Sequence, residues 1–395
     1  MAGLDAAQTR LVATLGFCGL VSAADNWFVS PALPAIANGL SAAPVAAAVI
    51  LTAYMVPYGA LQPVCGAVGD RVGRLRLLRV IVLGLAAGTA LCAVAPSLPL
   101  LAAARALTGC FAAGIISVSQ AFVGDAVGPG RRAGAVGLLM GITFTGQGLS
   151  SGLGGVLTDL LGWRVAFAAF AALAVCAWLL LFILRPAARR EGAPSPAPFD
   201  ACGFLRDAAR VFLGPGRAVF LLACTTGVLF LGTYGFMGTF LAERCGLGPT
   251  QAGLVMMLYG AFCLVGGALS GRLSAGRGLA HVVAVGEACG ALAAVLLLAA
   301  YAWGTWVPAA ASAALLGLGY ILTQPSLVTL SMDVDPGQAG LCTGLVGFGV
   351  FVGGGVGSAL GGAVLGAAGY PALWLAAAAG LALQRLASGR LLAGR

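Results

Sequence analysis

Long apolar stretches alternate with short polar ones along almost the whole chain. Apolar runs fall at roughly 11–36, 45–65, 77–95, 99–124, 133–157, 164–184, 217–241, 251–271, 281–301, 305–331, 338–367 and 370–386. A helix needs about 20 apolar residues, at a rise of about 1.5 Å each, to cross a bilayer core. The pattern therefore predicts about twelve membrane-spanning helices joined by short loops, an all-α membrane protein. One segment, Gly66-Ala-Val-Gly-Asp70-Arg71-Val-Gly73-Arg74-Leu-Arg76, concentrates charge between the second and third runs and predicts a tight loop there. The longest polar stretch, Arg185 to Arg217, carries Pro186, Glu191, Pro194, Pro196, Pro198 and Asp200. It reads as a linker with a short surface helix from Asp200 to Phe212. It divides the chain into an N-terminal six-helix bundle (1–184), a cytoplasmic linker (185–216) and a C-terminal six-helix bundle (217–395).

Composition sharpens this picture. Of 395 residues, 60% are hydrophobic and 8% charged, against about 25% charged in a soluble domain, which excludes an ordinary soluble fold. The net charge of +9 comes from arginine alone. Such a basic balance could serve nucleic acid, but the arginines sit in loops on alternate sides of the runs. With the N-terminus inside, all but Arg105, Arg164 and Arg244 of the 21 fall in cytoplasmic segments, as the positive-inside rule requires. Both termini are thus expected in the cytoplasm of a bacterial inner membrane protein, with the bilayer and not nucleic acid as its surroundings. The first apolar run, from Leu11 past Ala32, is too long for a signal-peptide core. The eleven cysteines are scattered singly and there is one histidine, His281. No metal site, no cofactor and no enzymatic constellation is expected.

The two halves repeat. Gly148-Leu-Ser-Ser-Gly-Leu-Gly-Gly155, running on to Gly162-Trp163, matches Gly355-Val-Gly-Ser-Ala-Leu-Gly-Gly362, running on to Gly369-Tyr370. Asp125 with Pro129-Gly130 and Gly134 matches Asp333 with Pro336-Gly337 and Gly340. The charged knot has a worn copy in Gly267-x-x-x-Gly271-Arg272 and Gly276-Arg277. Parallel repeats of a six-helix unit belong to transporters that bind substrate between their halves.

These residues resemble the major facilitator superfamily and, within it, bacterial drug:proton antiporters of the twelve-span type. Gly66-x-x-x-Asp70-Arg71-x-Gly73-Arg74 is similar to that family's loop signature between helices 2 and 3. Asp25 followed by Ala32-Leu33-Pro34 resembles a first-helix signature of drug exporters, and Arg105-x-x-x-Gly109 the fourth-helix arginine motif. The fifth-helix antiporter motif departs from its pattern: Gly146-x-x-x-Ser150-Ser151-x-x-Gly154-Gly155 has two serines where the family has Gly-Pro. The resemblance implies a monomeric, proton-coupled secondary transporter working by alternating access, exporting a small amphipathic molecule or drug by antiport and so conferring multidrug resistance by efflux. Proton symport, or export of a native metabolite such as a sugar or siderophore-like compound, is the alternative, and a non-transporting sensor or scaffold the reading from another class.

Charged residues within spans are costly, about 2.5–3.5 kcal/mol on insertion scales, and mark function. Asp25 lies mid-span in helix 1 and Arg105 within helix 4, at depths of about 16 and 10 Å, so their side chains can meet. The expectation is that Asp25 and Arg105 carry proton coupling, against a static buried ion pair. Gating is assigned by analogy to Gly66, Asp70, Arg71, Gly73, Arg74 and Asp125, whose charges would latch the halves. Substrate contact is expected from Asp25, Asn26, Tyr54, Tyr58, Gln120, Gln147, Tyr234, Tyr320 and Gln324, in-span positions with polar edges in an apolar cavity, though each could equally be packing. Pro31 and Pro34 predict a kink beyond Asp25. Glu287 falls inside the ninth span, a peripheral helix by the same resemblance.

Overall fold

The computed structural model describes residues 5–127, 129–184, 201–214, 216–274, 277–335 and 338–392, and among these there is no strand. The first span is Ala6–Trp27 and Val29–Gly39, bent by 45°. The second is Pro44–Ala47 and Val49–Val72, the third Arg74–Val94, the fourth Leu98–Ala112 and Ile115–Ala126, the fifth Pro129–Leu161 and the sixth Trp163–Leu180. After an amphipathic helix, Ala201–Leu213, the seventh span runs through Arg217–Thr226, a π turn at Gly227–Leu231, Gly232–Gly235 and Met237–Cys245. The eighth, ninth and tenth are Pro249–Ser274, Gly278–Trp303 and Val307–Met332. The helical run Ala339–Leu391 is broken at Gly369, where φ is 74°, and supplies the eleventh and twelfth. Nine described helices are long and apolar enough to cross a membrane, ten with the bent first span. Dividing Ala339–Leu391 at Gly369 and adding the 33-residue Pro129–Leu161 brings the count to twelve. They form two six-helix bundles.

The charged knot is not the loop that its polarity predicts. Helix continues through Gly66 and Asp70 to Val72, and the next helix starts at Arg74. The whole reversal falls on Gly73, at φ 91° and ψ 126°, a conformation that a side chain resists. Polarity marks where the helix leaves the lipid, not where it ends. The expected linker over 185–200 lies outside the described residues; the helix predicted after it is present.

The kink in the first span has a definite cause. A proline removes the hydrogen bond to the carbonyl four residues earlier. Pro31 therefore frees the Trp27 carbonyl and Pro34 the Ser30 carbonyl. The Trp27 carbonyl lies 3.4 Å from Ser151 Oγ of the fifth span, and the Ser30 carbonyl packs against Gly238 in the seventh, where a Cβ would collide with it.

Glycines let helices approach until backbones touch, and here they reveal the duplication in three dimensions. The fifth span is wedged between two neighbours. A Cβ at Gly146 would strike the Leu20 carbonyl of the first span, and one at Gly155 the Pro249 carbonyl of the eighth. The eleventh span repeats this: a Cβ at Gly353 would strike the Cys224 carbonyl of the seventh, while Gly355 lies against Val56 and Gly362 against Val45 of the second. Spans 5 and 8, and spans 2 and 11, are thus equivalent seams between the bundles.

The two seams differ in extent. Spans 2 and 11 touch from Val45 against Gly362 to Pro63 against Gly344, whose Cβ would lie 3.0 Å from the Pro63 Cα, and only beyond this, at Gly66 and Gly340, would a Cβ meet nothing within 4 Å. Spans 5 and 8 meet between Gly155/Gly253 and Gly148/Gly260, but a Cβ at Gly141 or Gly267 would meet nothing within 4 Å. The bundles are therefore closed at the face away from the chain termini and part between spans 5 and 8 toward the face that carries them.

Candidate substrate and coupling site

Asp25 and Arg105 meet inside the N-terminal bundle. Arg105 Nη1 stands 2.8 Å from Asp25 Oδ2, with the side chains 0% and 2% exposed, and also approaches the Asp25 carbonyl at 3.3 Å. Thr89 of the third span donates its hydroxyl to Asp25 Oδ1 at 2.8 Å. The guanidinium lies over the Tyr54 ring, 4.2 Å from its centre, so the second span holds the cation by its π-face. Buried Arg105 Nε and Nη2, Tyr54 Oη, Ser22 Oγ and Asn26 Oδ1 have no hydrogen-bond partner. A buried ion pair with spare donors and acceptors around it is poised for exchange of partners, because a dry interior makes each unmet group costly.

Immediately after Asp25 and Asn26, Trp27 enters an aromatic cluster that crosses between the bundles. Its ring is 4.8 Å from Tyr234 and 5.4 Å from Tyr259. Tyr234 and Tyr259 lie 4.3 Å apart, and Tyr259 is 6.1 Å from Tyr320. Ser151 Oγ is 2.8 Å from Tyr234 Oη, and Tyr234 Oη lies 3.2 Å from the Met256 carbonyl. Ser30 completes the junction by donating to the Gly235 carbonyl at 2.9 Å. Ser151, one of the two serines in the altered fifth-helix motif, thus ties span 5 to spans 1 and 7 at once. Ser151→Ala and Tyr234→Phe should each cost about 0.5–1.5 kcal/mol in thermal unfolding, and the double variant little more than either; additive losses would mean that the two hydroxyls do not interact.

The remaining sequence-predicted positions scatter. Tyr58 stacks on Tyr54 at 5.7 Å and against Phe351 of the eleventh span at 4.3 Å. Gln147 is buried and Gln324 half-buried. Gln120 points its amide at the Met140 sulfur, 2.8 Å away within its own bundle, and so stands outside the aromatic cluster. Arg74 donates to the Ala121 carbonyl at 2.7 Å, joining the third span to the fourth. The side chains of Asp70 and Asp125 lie outside the described residues. Among the described residues no cluster of His, Cys, Asp or Glu could hold a metal ion.

Residues 15–358 match the Major Facilitator Superfamily. The chain belongs to that superfamily. It is 33% identical over 169 residues to the puromycin resistance protein pur8 of Streptomyces alboniger, covering 42% of this chain and 33% of that one. With the multidrug efflux pump LfrA of Mycolicibacterium smegmatis the identity is 32% over 191 residues, 48% of this chain and 37% of the pump. These matches span only about a third of either relative's length. Among solved structures, the nucleoside transporter NupG superposes with a TM-score of 0.79 at 12% identity, over 96% of this chain and 99% of that one. At that identity the likeness shows the fold alone. Superfamily membership, with the apolar spans described above, makes this chain a multi-pass membrane protein.

Several residues of the junction and of the ion pair's surroundings escaped the sequence. Thr89, Trp27, Ser30 and Tyr259 are neutral residues on apolar helices, and burying them in a span raises no alarm. The adjacency of Trp27 to Asp25 was the one available signal.

Proposed function

We propose that this major facilitator transporter exports a small amphipathic molecule in exchange for protons by alternating access, with Asp25 and Arg105 as the coupling pair. One observation carries the reading: the buried Asp25–Arg105 pair continues directly, through Asn26 and Trp27, into the aromatic junction between the bundles. A carboxylate can exchange its cation for a proton only when the pair separates, and separation requires the first span to move. The first span is held at its kink by the fifth and seventh, so loss of the junction and loss of the ion pair are mechanically linked. In the conformation described, the pair is formed and sealed; the proton enters when the bundles rock and water reaches Asp25.

Trp27, Tyr234, Tyr259 and Tyr320, packed on one another at the junction with Asn26 beside them, would offer flat apolar faces to a cargo with few polar groups when the bundles part. The face bearing the termini, rich in arginine, is assigned to the cytoplasm, which makes the opening between spans 5 and 8 inward. The two serines at the fifth-span motif favour a second reading, export or proton symport of a native metabolite, because a hydroxyl pair there can contact a polar cargo.

Proteoliposomes with an imposed pH gradient, screened against amphipathic dyes and drugs, test the proposal. Wild type should move its substrate only with the gradient, and Asp25→Asn should lose gradient-driven movement while still exchanging substrate across the membrane. Equal transport with and without the gradient would remove proton coupling.

A further inference from the structure

The C-terminal bundle contains a second sealed carboxyl group. Glu287, in the ninth span, is 0% exposed. Its Oε2 is in hydrogen-bond contact with Ser388 Oγ of the twelfth span, and its Oε1 has no partner. Ser388 Oγ also lies 3.0 Å from the Arg385 carbonyl. The adjacent Gln384 gives its amide nitrogen to Thr226 Oγ1 at 2.8 Å and to the Leu222 carbonyl at 3.4 Å. Gln384 Oε1 is buried and unpartnered as well.

Hydrogens are too few for an ionised cluster. A serine hydroxyl donates once, yet Ser388 faces two acceptors, the Glu287 carboxyl and the Arg385 carbonyl. The Arg385 carbonyl already receives a backbone N–H within its helix, so an ionised Glu287 would hold the one Ser388 hydrogen and leave Oε1 with none. Among the described residues no cation forms an ion pair with Glu287. Arg385, the charged group nearest on the twelfth span, is exposed and gives Nη1 to the Ala284 carbonyl at 2.9 Å. His281, on the same helix as Glu287, lies about 9 Å further along its axis. The tenth span presents Gly319 and Thr323 to Gly286, and the seventh presents Phe230 to Gly290; none of these titrates.

We propose that Glu287 is a second proton-binding site, loaded in this conformation, with its Oε2–H donating to Ser388 Oγ and Ser388 donating to the Arg385 carbonyl. One added hydrogen completes both contacts and removes a lone charge from the lipid-embedded interior. The site also has a mechanical outlet. Gln384 grips Thr226, the residue that precedes the π turn of the seventh span, and beyond that turn stands Tyr234 at the junction between the bundles. π turns recur where helices must shift. Gln384 thus fixes the twelfth span against the foot of this turn, one helical turn before Ser388 and its contact with Glu287.

The proposal does not rest on the coupling role given to Asp25. Infrared spectroscopy of the full chain in lipid nanodiscs at neutral pH tests it. The wild type should show the carbonyl stretch of a buried, protonated carboxylic acid. Glu287→Gln should lose that band, Asp25→Asn should keep it, and Ser388→Ala should keep it at a shifted frequency. Glu287→Gln, which retains a donor at the same place, should melt with the wild type, while Glu287→Ala should melt clearly lower. An identical carbonyl region in wild type and Glu287→Gln would overturn the proposal, and so would a Glu287→Gln variant as unstable as Glu287→Ala.

Discussion

Arg105→Ala is expected to destabilise the folded transporter by about 3–5 kcal/mol, the usual cost of stripping the partner from a buried ion. The reason is local. Without the guanidinium, Asp25 keeps only the Thr89 hydroxyl as a side-chain donor, and its charge has no route to water at 1% exposure. The Tyr54 ring loses its cation at the same time. Adding Asp25→Asn should restore much of the loss, since the uncompensated charge is then gone. Thermal unfolding of the purified wild type, the two single variants and the double variant reads this as a coupling energy. If Arg105→Ala melts with the wild type, or the double variant is no better than Arg105→Ala, the two residues are not an energetic unit and the coupling proposal loses its foundation. If the cycle behaves as expected, the double variant should still fail in gradient-driven transport, because stability returns in it but the exchangeable carboxylate does not.

The second large effect lies at the seam between spans 5 and 8. Gly253→Ala would drive a methyl group into the Ser151 carbonyl and to 3.2 Å from the Gly155 Cα, and Gly155→Ala would drive one into the Pro249 carbonyl. Backbone cannot swing aside as a long side chain can, so the helices must separate at the face away from the termini. A bias of about 1.4 kcal/mol against the closed arrangement already changes its population tenfold, and a backbone collision should exceed that. Transport should fall by about tenfold or more. Gly141→Ala on the same helix, where the added carbon meets nothing within 4 Å, should behave as wild type. The separation can be read directly. Asp159 Oδ2 and Thr250 Oγ1 face each other across the seam at 2.7 Å, so cysteines at these two positions should form a disulfide readily, and slowly when Gly253→Ala is added. Equal cross-linking in both would mean that the seam absorbs the methyl group without opening.

The architecture was legible because lipid imposes a severe rule: a span must be about 20 apolar residues long, and loops carry the arginines. The same rule made Asp25 and Arg105 conspicuous, since a charge at that depth has few innocent explanations. Where the rule is silent, the sequence was silent too. Tyr259 and Thr89 sit as comfortably in a lipid-facing helix as in a junction, and only three-dimensional packing distinguishes them. The knot at Gly66–Arg76 was misread as a loop for a related reason. Hydropathy reports the medium around a helix, whereas the reversal depends on backbone conformation, and a single residue, Gly73, supplies it. Ser151 illustrates the opposite case. Its departure from the family pattern was visible, but its meaning, a hydroxyl bridging the Trp27 carbonyl and the Tyr234 hydroxyl, needed the kink that Pro31 produces.

The inequality of the two glycine seams has a consequence for the route of the cargo. Two copies of one unit need not part evenly, and here one edge stays zipped from Val45 to Pro63 while the other opens beyond Gly148 and Gly260. Under the proposed alternating access such a body would swing like a door hung on one jamb. On the proposed alternating access the doorway would be the flank formed by the fifth and eighth spans, and a wedge inserted at Gly141, a tryptophan for example, would jam it ajar without disturbing the hinge.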